Sequence, residues 1–181
     1  MSIAENIKKY TEELPDTVDL VAISKTKPNE DIMEAYEVGQ RIFGENKIQE
    51  MTDKWEALPK DIEWHMVGHV QRNKVKYMAP YVGLIHAVDS LKLLKEVNKQ
   101  AKKHDRVIRC LLQIKIAEED SKFGISAGEA EEILQSADYN AFENVAVVGL
   151  MGMATNTEND DKVAEEFDYL HSVFKDFRVK Y

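Results

Sequence analysis

The chain has 181 residues, enough for one domain with a sizeable core, and its 44% hydrophobic and 31% charged residues describe an ordinary globular protein, not a disordered one. A net charge of -9 argues against nucleic acid as a partner, because phosphate binding needs clustered Lys and Arg. No run reaches the length of a membrane span, no basic-then-apolar leader opens the chain, and the single cysteine, Cys110, excludes an internal disulfide, which fits a cytoplasmic protein.

In chain order, Ile3, Ile7, Tyr10 and Leu14 form a helical stripe that Ser2 and Glu5 begin as a capping box. Val18 to Ser24 reads as a first strand, followed by a helix from Asn29 to Val38 that Gly39 stops. Arg41 to Gly44 is a short second strand. Ile48, Met51, Trp55 and Leu58 stripe the next helix, which Pro59 ends. Ile62 to Val67 predicts strand three, with a helix over Asn73 to Met78, and Val82 to Val88 predicts strand four. Asp89 and Ser90 cap a helix carrying Leu91, Leu94, Val97 and Ala101. Val107 to Ile116 is strand five, with Cys110 as a small core residue inside it. A second capping box, Ser126 with Glu129, leads a helix through Ile133, Leu134 and Ala137. Val145 to Met151 is strand six. Thr157 and Asp160 cap a last helix striped by Val163, Phe167, Leu170, Phe174 and Phe177.

Six strands alternating with seven helices demand a parallel sheet with right-handed crossovers. It could be an open doubly wound sheet or a (β/α) barrel, and the lack of a Gly-x-Gly-x-x-Gly after the first strand weakens the dinucleotide-binding version. Ligands bind at the carboxyl ends of the strands in both architectures. Those ends read Lys25-Thr26-Lys27, Gly44-Glu45-Asn46, His65 to His69, His86 to Ser90, Asp120 to Gly124, and Gly149 to Ala154.

Lys25, placed where an apolar strand runs out, is the candidate for chemistry. Burial there would disfavour its charged form, and a neutral lysine amine attacks carbonyls, including the aldehyde of pyridoxal phosphate. A lysine that merely begins a solvated loop is the competing reading. His65 and His69 lack the Cys or carboxylate partners of a metal site. His65 is expected beside Trp64, donating to a backbone carbonyl; His104 and His171 are expected on helices, in solvent. Glu118, Glu119 and Asp120 read as a solvated acidic loop. No nucleophile elbow supports Ser-His-Asp chemistry.

Five segments carry a resemblance: VAISKTKP at Val21 to Pro28, FGENKIQE at Phe43 to Glu50, WHMVGHVQRNK at Trp64 to Lys74, DSKFG at Asp120 to Gly124 and GLMGMA at Gly149 to Ala154. In order and spacing they resemble the pyridoxal phosphate homeostasis proteins, the YggS/PROSC family. The resemblance implies a TIM-type α/β barrel of the alanine racemase N-terminal type over residues 1–181, holding pyridoxal 5'-phosphate as a Schiff base on Lys25. Asn46 and Met151 match positions that line the cofactor, and Lys27 and Lys122 match lysines associated with cofactor transfer. The family is thought to buffer and deliver the cofactor, as a monomer, to pyridoxal-phosphate-dependent apoenzymes, without an established reaction.

Two departures stand out. Val70 replaces a usual leucine. The family's pattern also continues beyond Tyr181 with segments that supply the last two strands, much of the phosphate cradle and an arginine near the pyridine nitrogen. On that comparison about six of eight β/α units are present, Arg178 to Tyr181 reads as the start of a seventh strand, and cofactor binding is expected to be weak or absent. Two other functions compete: a pyridoxal-phosphate enzyme such as a racemase or decarboxylase, which needs acid–base groups on both cofactor faces, and a Schiff-base aldolase acting through Lys25 alone.

Overall fold

The structure, a computed structural model, describes residues 2–117 and 123–181. The expected site residue Lys122 and the acidic loop at Glu118 to Asp120 lie outside the described residues.

The elements are α1 (Ile3–Glu13), β1 (Ala22–Ile23), α2 (Asn29–Glu37), β2 (Ile42–Glu45), α3 (Ile48–Ala57), β3 (Glu63–Met66), a 3-10 turn (Arg72–Lys74) running into α4 (Val75–Met78), β4 (Leu84–Val88), α5 (Leu91–Lys102), β5 (Ile108–Ile114), α6 (Ala127–Gln135), α7 (Ala137–Asn140), β6 (Val145–Gly152) and α8 (Asp160–Lys180). Both expected capping boxes form: the Ser2 and Ser126 hydroxyls accept the Glu5 and Glu129 amides, and each glutamate reaches back to its cap's N–H.

All five ladders are parallel, and the strands lie side by side in chain order from β1 to β6. A doubly wound sheet reverses its strand order at a switch point. This sheet never does, so of the two architectures open to the sequence, the singly wound, barrel-type one is present. Repeated right-handed crossovers put the helices on one face. That face holds the core: Phe43, Trp64, Met66, Ile85, Cys110 and Leu112 point into it and are at most 1% exposed. Burial pushes the Cys110 thiol up to about 12, leaving it an inert packing group. The opposite face is open between edge strands β1 and β6, and Ile23 on it is 51% exposed.

The structure corrects four expectations. First, Arg178 to Tyr181 does not begin a strand. α8 continues through Lys180, the Tyr181 N–H donates to the Phe177 carbonyl, and buried Phe177 anchors the last turn. Lys180 pairs with Asp176 at 2.9 Å and Glu131 at 2.8 Å, and cations suit a helix carboxyl end. Second, the segment from Val18 to Ser24 forms a ladder only over Ala22–Ile23, because an edge strand has one neighbour to pair with. Third, the helix expected to run through Ala137 breaks at Ser136, which takes an extended conformation and caps α7 through the Tyr139 amide. Fourth, α8 is capped by Asn159, whose side chain accepts the Lys162 amide; Thr157 instead accepts from Asn159.

Candidate functional site

The carboxyl end of β1 turns tightly. The Lys27 N–H donates to the Ser24 carbonyl at 3.0 Å, making Lys25 and Thr26 the middle of a four-residue turn. Thr26 has φ +65, a left-handed conformation unusual for a β-branched residue. Lys25 is exposed, so the burial expected of it is not present in this sheet. Its place on an edge strand, inside a turn, accounts for that exposure.

The register pairs Ile23 with Gly44, and the Ser24 N–H still donates to the Gly44 carbonyl at 3.0 Å, so the Lys25 turn begins beside the end of β2, which Asn46 follows. Asn46 is half-buried, and its Oδ1 is buried without a hydrogen-bond partner. A buried carbonyl oxygen left unpaired is costly unless something else satisfies it. Gly68, after β3, packs against this residue so closely that an added Cβ would lie 2.6 Å from the Asn46 carbonyl oxygen.

Lys27 is exposed and faces Asp31 at 3.8 Å, one helical turn into α2. It lines both an apolar cavity of about 340 Å³ under α1 and a polar groove running from Thr26 to Lys54. Met151 lies on β6, the other edge of the sheet, paired with Gln113 of β5. Of the expected site residues, Lys25, Lys27 and Asn46 therefore share adjacent strand ends, and Met151 does not adjoin them within the sheet.

Further along the rim, His69 approaches Asp89 at 3.5 Å and stacks on Phe123, with 5.3 Å between ring centroids. Ile125 lies against the end of β5: its carbonyl accepts the Lys115 N–H and its own N–H donates to the Gln113 carbonyl, each at 2.9 Å. Gly124 sits there at φ +137, and a Cβ would meet the Lys115 nitrogen at 2.7 Å. After β6, Thr155 donates both its N–H and its hydroxyl to buried Glu166 of α8, each at 2.6 Å.

Two networks were not foreseen. Beneath the Lys25 turn, the Lys54 ammonium donates to Glu45 and Glu50 at 2.7 Å each and to the Ser24 carbonyl at 2.8 Å. The Ser24 hydroxyl also donates to Glu45 at 2.6 Å. The hydrogen bond from Lys54 holds the Glu50 carboxyl below the usual range, and the Thr26 amide adds to it. On the open face, His86 and His65 share a hydrogen bond of 3.0 Å, and His65 bonds Glu63 at 3.1 Å. Arg109 pairs with the same Glu63 oxygen. His65 thus partners a carboxylate, not the expected backbone carbonyl, because Glu63 is two residues away on the same face of the strand. Burial lowers both imidazoles, that of His86 to about 4. Burial alone would raise the Glu63 carboxyl, but His65 and Arg109 together hold it down. His171 is exposed on α8 as expected, whereas His104 lies just past α5, also exposed. Among the described residues, no cluster of three His, Cys, Asp or Glu could hold a metal ion.

A singly wound parallel α/β sheet of the barrel type, with an amine and an unsatisfied amide oxygen on neighbouring strand ends, defines the class of protein. A sequence model described as the alanine racemase N-terminal domain matches residues 1–181. The pyridoxal phosphate homeostasis protein of Aquifex aeolicus is 35% identical, with 99% of this chain and 79% of the relative covered. That of Vibrio alginolyticus is 32% identical, over 93% and 78%. The chain belongs to the pyridoxal phosphate homeostasis protein family. Its structure is similar to that of PipY from Synechococcus elongatus, solved with PLP bound, at TM-score 0.88 and 29% identity, over 99% of this chain and 83% of that one. Alanine racemase from E. faecalis shares the fold at TM-score 0.74 and 17% identity, over 94% and 48%.

Proposed function

We propose that this chain binds pyridoxal 5'-phosphate covalently through Lys25 and serves intracellular supply of the cofactor, with no reaction of its own. The observation that carries the reading is the exposed Lys25 amine in the turn after β1, next to the adjacent strand end that Asn46 follows. The residues present fit the group: an accessible amine for an aldehyde after β1, and a polar Asn46 after the neighbouring β2. The names of the relatives and the PLP-bound PipY structure support the same ligand.

Pyridoxal phosphate supplies the aldehyde. Lys25 would hold the group through its side-chain amine, which would condense with that aldehyde with loss of water. Asn46 would border the ring from the next strand end, and Lys27, which faces Asp31, would stand on the same turn as Lys25. Exposure of Lys25 suits exchange over turnover, because an open site does not exclude water. The reading extends to a monomer in the cytoplasm that passes the cofactor to apoenzymes. No helix of the described residues is long and apolar enough to cross a membrane.

The test is a titration with pyridoxal phosphate followed by absorbance, then borohydride reduction and peptide mapping. A new visible band and a reduced adduct at Lys25 are expected, both lost in Lys25→Ala. A band that survives in Lys25→Ala refutes the assignment. Racemisation or decarboxylation of free amino acids at enzymatic rates would favour an enzyme instead.

A further inference from the structure

Lys25 sits at the least supported place in the sheet, after a two-residue edge strand and beside a threonine with φ +65. A non-glycine residue in that conformation costs about 1–2 kcal/mol, so the turn must be imposed from outside. The peptide groups on either side of Lys25 are both gripped by α3. The Lys54 ammonium donates to the Ser24 carbonyl before it at 2.8 Å, and Glu50 accepts the Thr26 N–H after it at 2.6 Å. Lys54 and Glu50 are one helical turn apart and bonded to each other at 2.7 Å. Glu45 of β2, wholly buried, fixes Lys54 from below at 2.7 Å and takes the Ser24 hydroxyl on the same oxygen.

We infer that Glu50, Lys54 and Glu45 are positioning residues for Lys25, clamping the backbone on both sides of it and so fixing the direction in which its side chain leaves the turn at the strand-end rim. Their hydrogen bonds go to the Ser24 and Thr26 groups and to one another, not to the amine. They act by fixing the direction of the Lys25 Cα–Cβ bond, which decides whether a flexible four-carbon stem sweeps the rim or open water. The inference rests on the proposed attachment of pyridoxal phosphate at Lys25.

Glu50 gives the cleanest test, since it is partly exposed and its removal strands no wholly buried charge. The unmodified chain, Glu50→Ala, Glu50→Gln and Lys25→Ala are compared by thermal melting, by pyridoxal phosphate titration with borohydride mapping, and, without cofactor, by the rate and pH profile of Lys25 reductive methylation. Glu50→Ala is expected to weaken covalent loading about tenfold or more and to alter the Lys25 methylation profile, while still melting cooperatively. Glu50→Gln, which keeps an oxygen for the Thr26 amide, is expected to restore most of the loading. If Glu50→Ala matches the unmodified chain in loading and methylation, the clamp is wrong and the cofactor reading stands. Equal losses in Glu50→Ala and Glu50→Gln also overturn it, since the retained acceptor would then not matter. A band that survives Lys25→Ala overturns both.

Discussion

At the scale of single residues, the open-face network makes a prediction about acid. Burial lowers the His86 imidazole from 6.5 to about 4, and His65 is lowered as well. His86 is neutral in the fold near pH 6, and His65 is shifted the same way, whereas an unfolded chain would take up protons there. The unfolded state therefore binds more protons between pH 6.5 and about 4, and stability falls as pH drops through that window. Glu63, held low by His65 and Arg109, adds a loss of the same sign at the acid end. The His86 shift alone is worth at most about 3 kcal/mol, and solvent on this open face reduces it to about 1–2 kcal/mol. Urea unfolding at pH 7 and pH 4.5 should show that loss, and His86→Gln should shrink it by about half. An unchanged slope in His86→Gln would place the acid sensitivity elsewhere. The sequence showed both histidines near the rim but not their pairing, because register alone brings a residue of β4 against one of β3. The period-two spacing of Glu63 and His65 on one strand was a signal for their pairing, but a backbone carbonyl was expected instead.

At the scale of elements, strand ends are where this fold concentrates its polar groups, and three of them are fixed by backbone contact or a neighbouring carboxylate. Glu50 of α3 holds the turn after β1, Glu166 of α8 holds Thr155 after β6, and Gly68 packs on the Asn46 backbone. The last contact is testable by one methyl group. A Cβ at Gly68 would stand 2.6 Å from the Asn46 carbonyl oxygen and 2.8 Å from its Cα, and backbone atoms cannot swing aside as a side-chain tip can. Gly68→Ala should destabilise the chain by about 1–3 kcal/mol and, by displacing Asn46, weaken pyridoxal phosphate binding. Unaltered melting and titration curves would show that the rim yields freely. The elements themselves were readable, since the 3.6 and 2.0 periodicities and the Ser-x-x-Glu caps are local signals. Local signals fail where partners decide the outcome. Val18 to Leu20 have strand composition but lie outside the ladder, and Arg178 to Lys180 alternate like a strand yet complete a helix whose Phe177 is buried and whose Lys180 is doubly paired. The amine at the end of β1 was visible in the sequence; the clamp beneath it was not, because Lys54 reads as one more polar residue on a helix.

At the scale of the whole molecule, strand order equals chain order, so every ladder joins elements close in sequence and stability is graded across the sheet. The centre is thickest. β3, β4 and β5 have neighbours on both sides and carry Trp64, Ile85, Cys110 and Leu112, all fully buried. The β1 edge is thin: its strand has two residues, and α1 buries none of its side chains fully. Opening that edge exposes little apolar surface, so its local unfolding free energy should lie well below the global value. Native-state hydrogen exchange should therefore show α1 and the start of β1 exchanging through local openings, at rates orders of magnitude above those of β4 and β5. The turn at Lys25 marks the boundary, since Thr26 donates its amide to Glu50, whose helix packs on the better-supported β2 and β3. Its protection should resemble that of α3 and exceed that of α1, and Glu50→Ala should bring it down to the α1 level. If α1 proves as protected as β4, the sheet unfolds as one unit. The Lys25 turn would then be rigid because the whole sheet is, whatever α3 contributes.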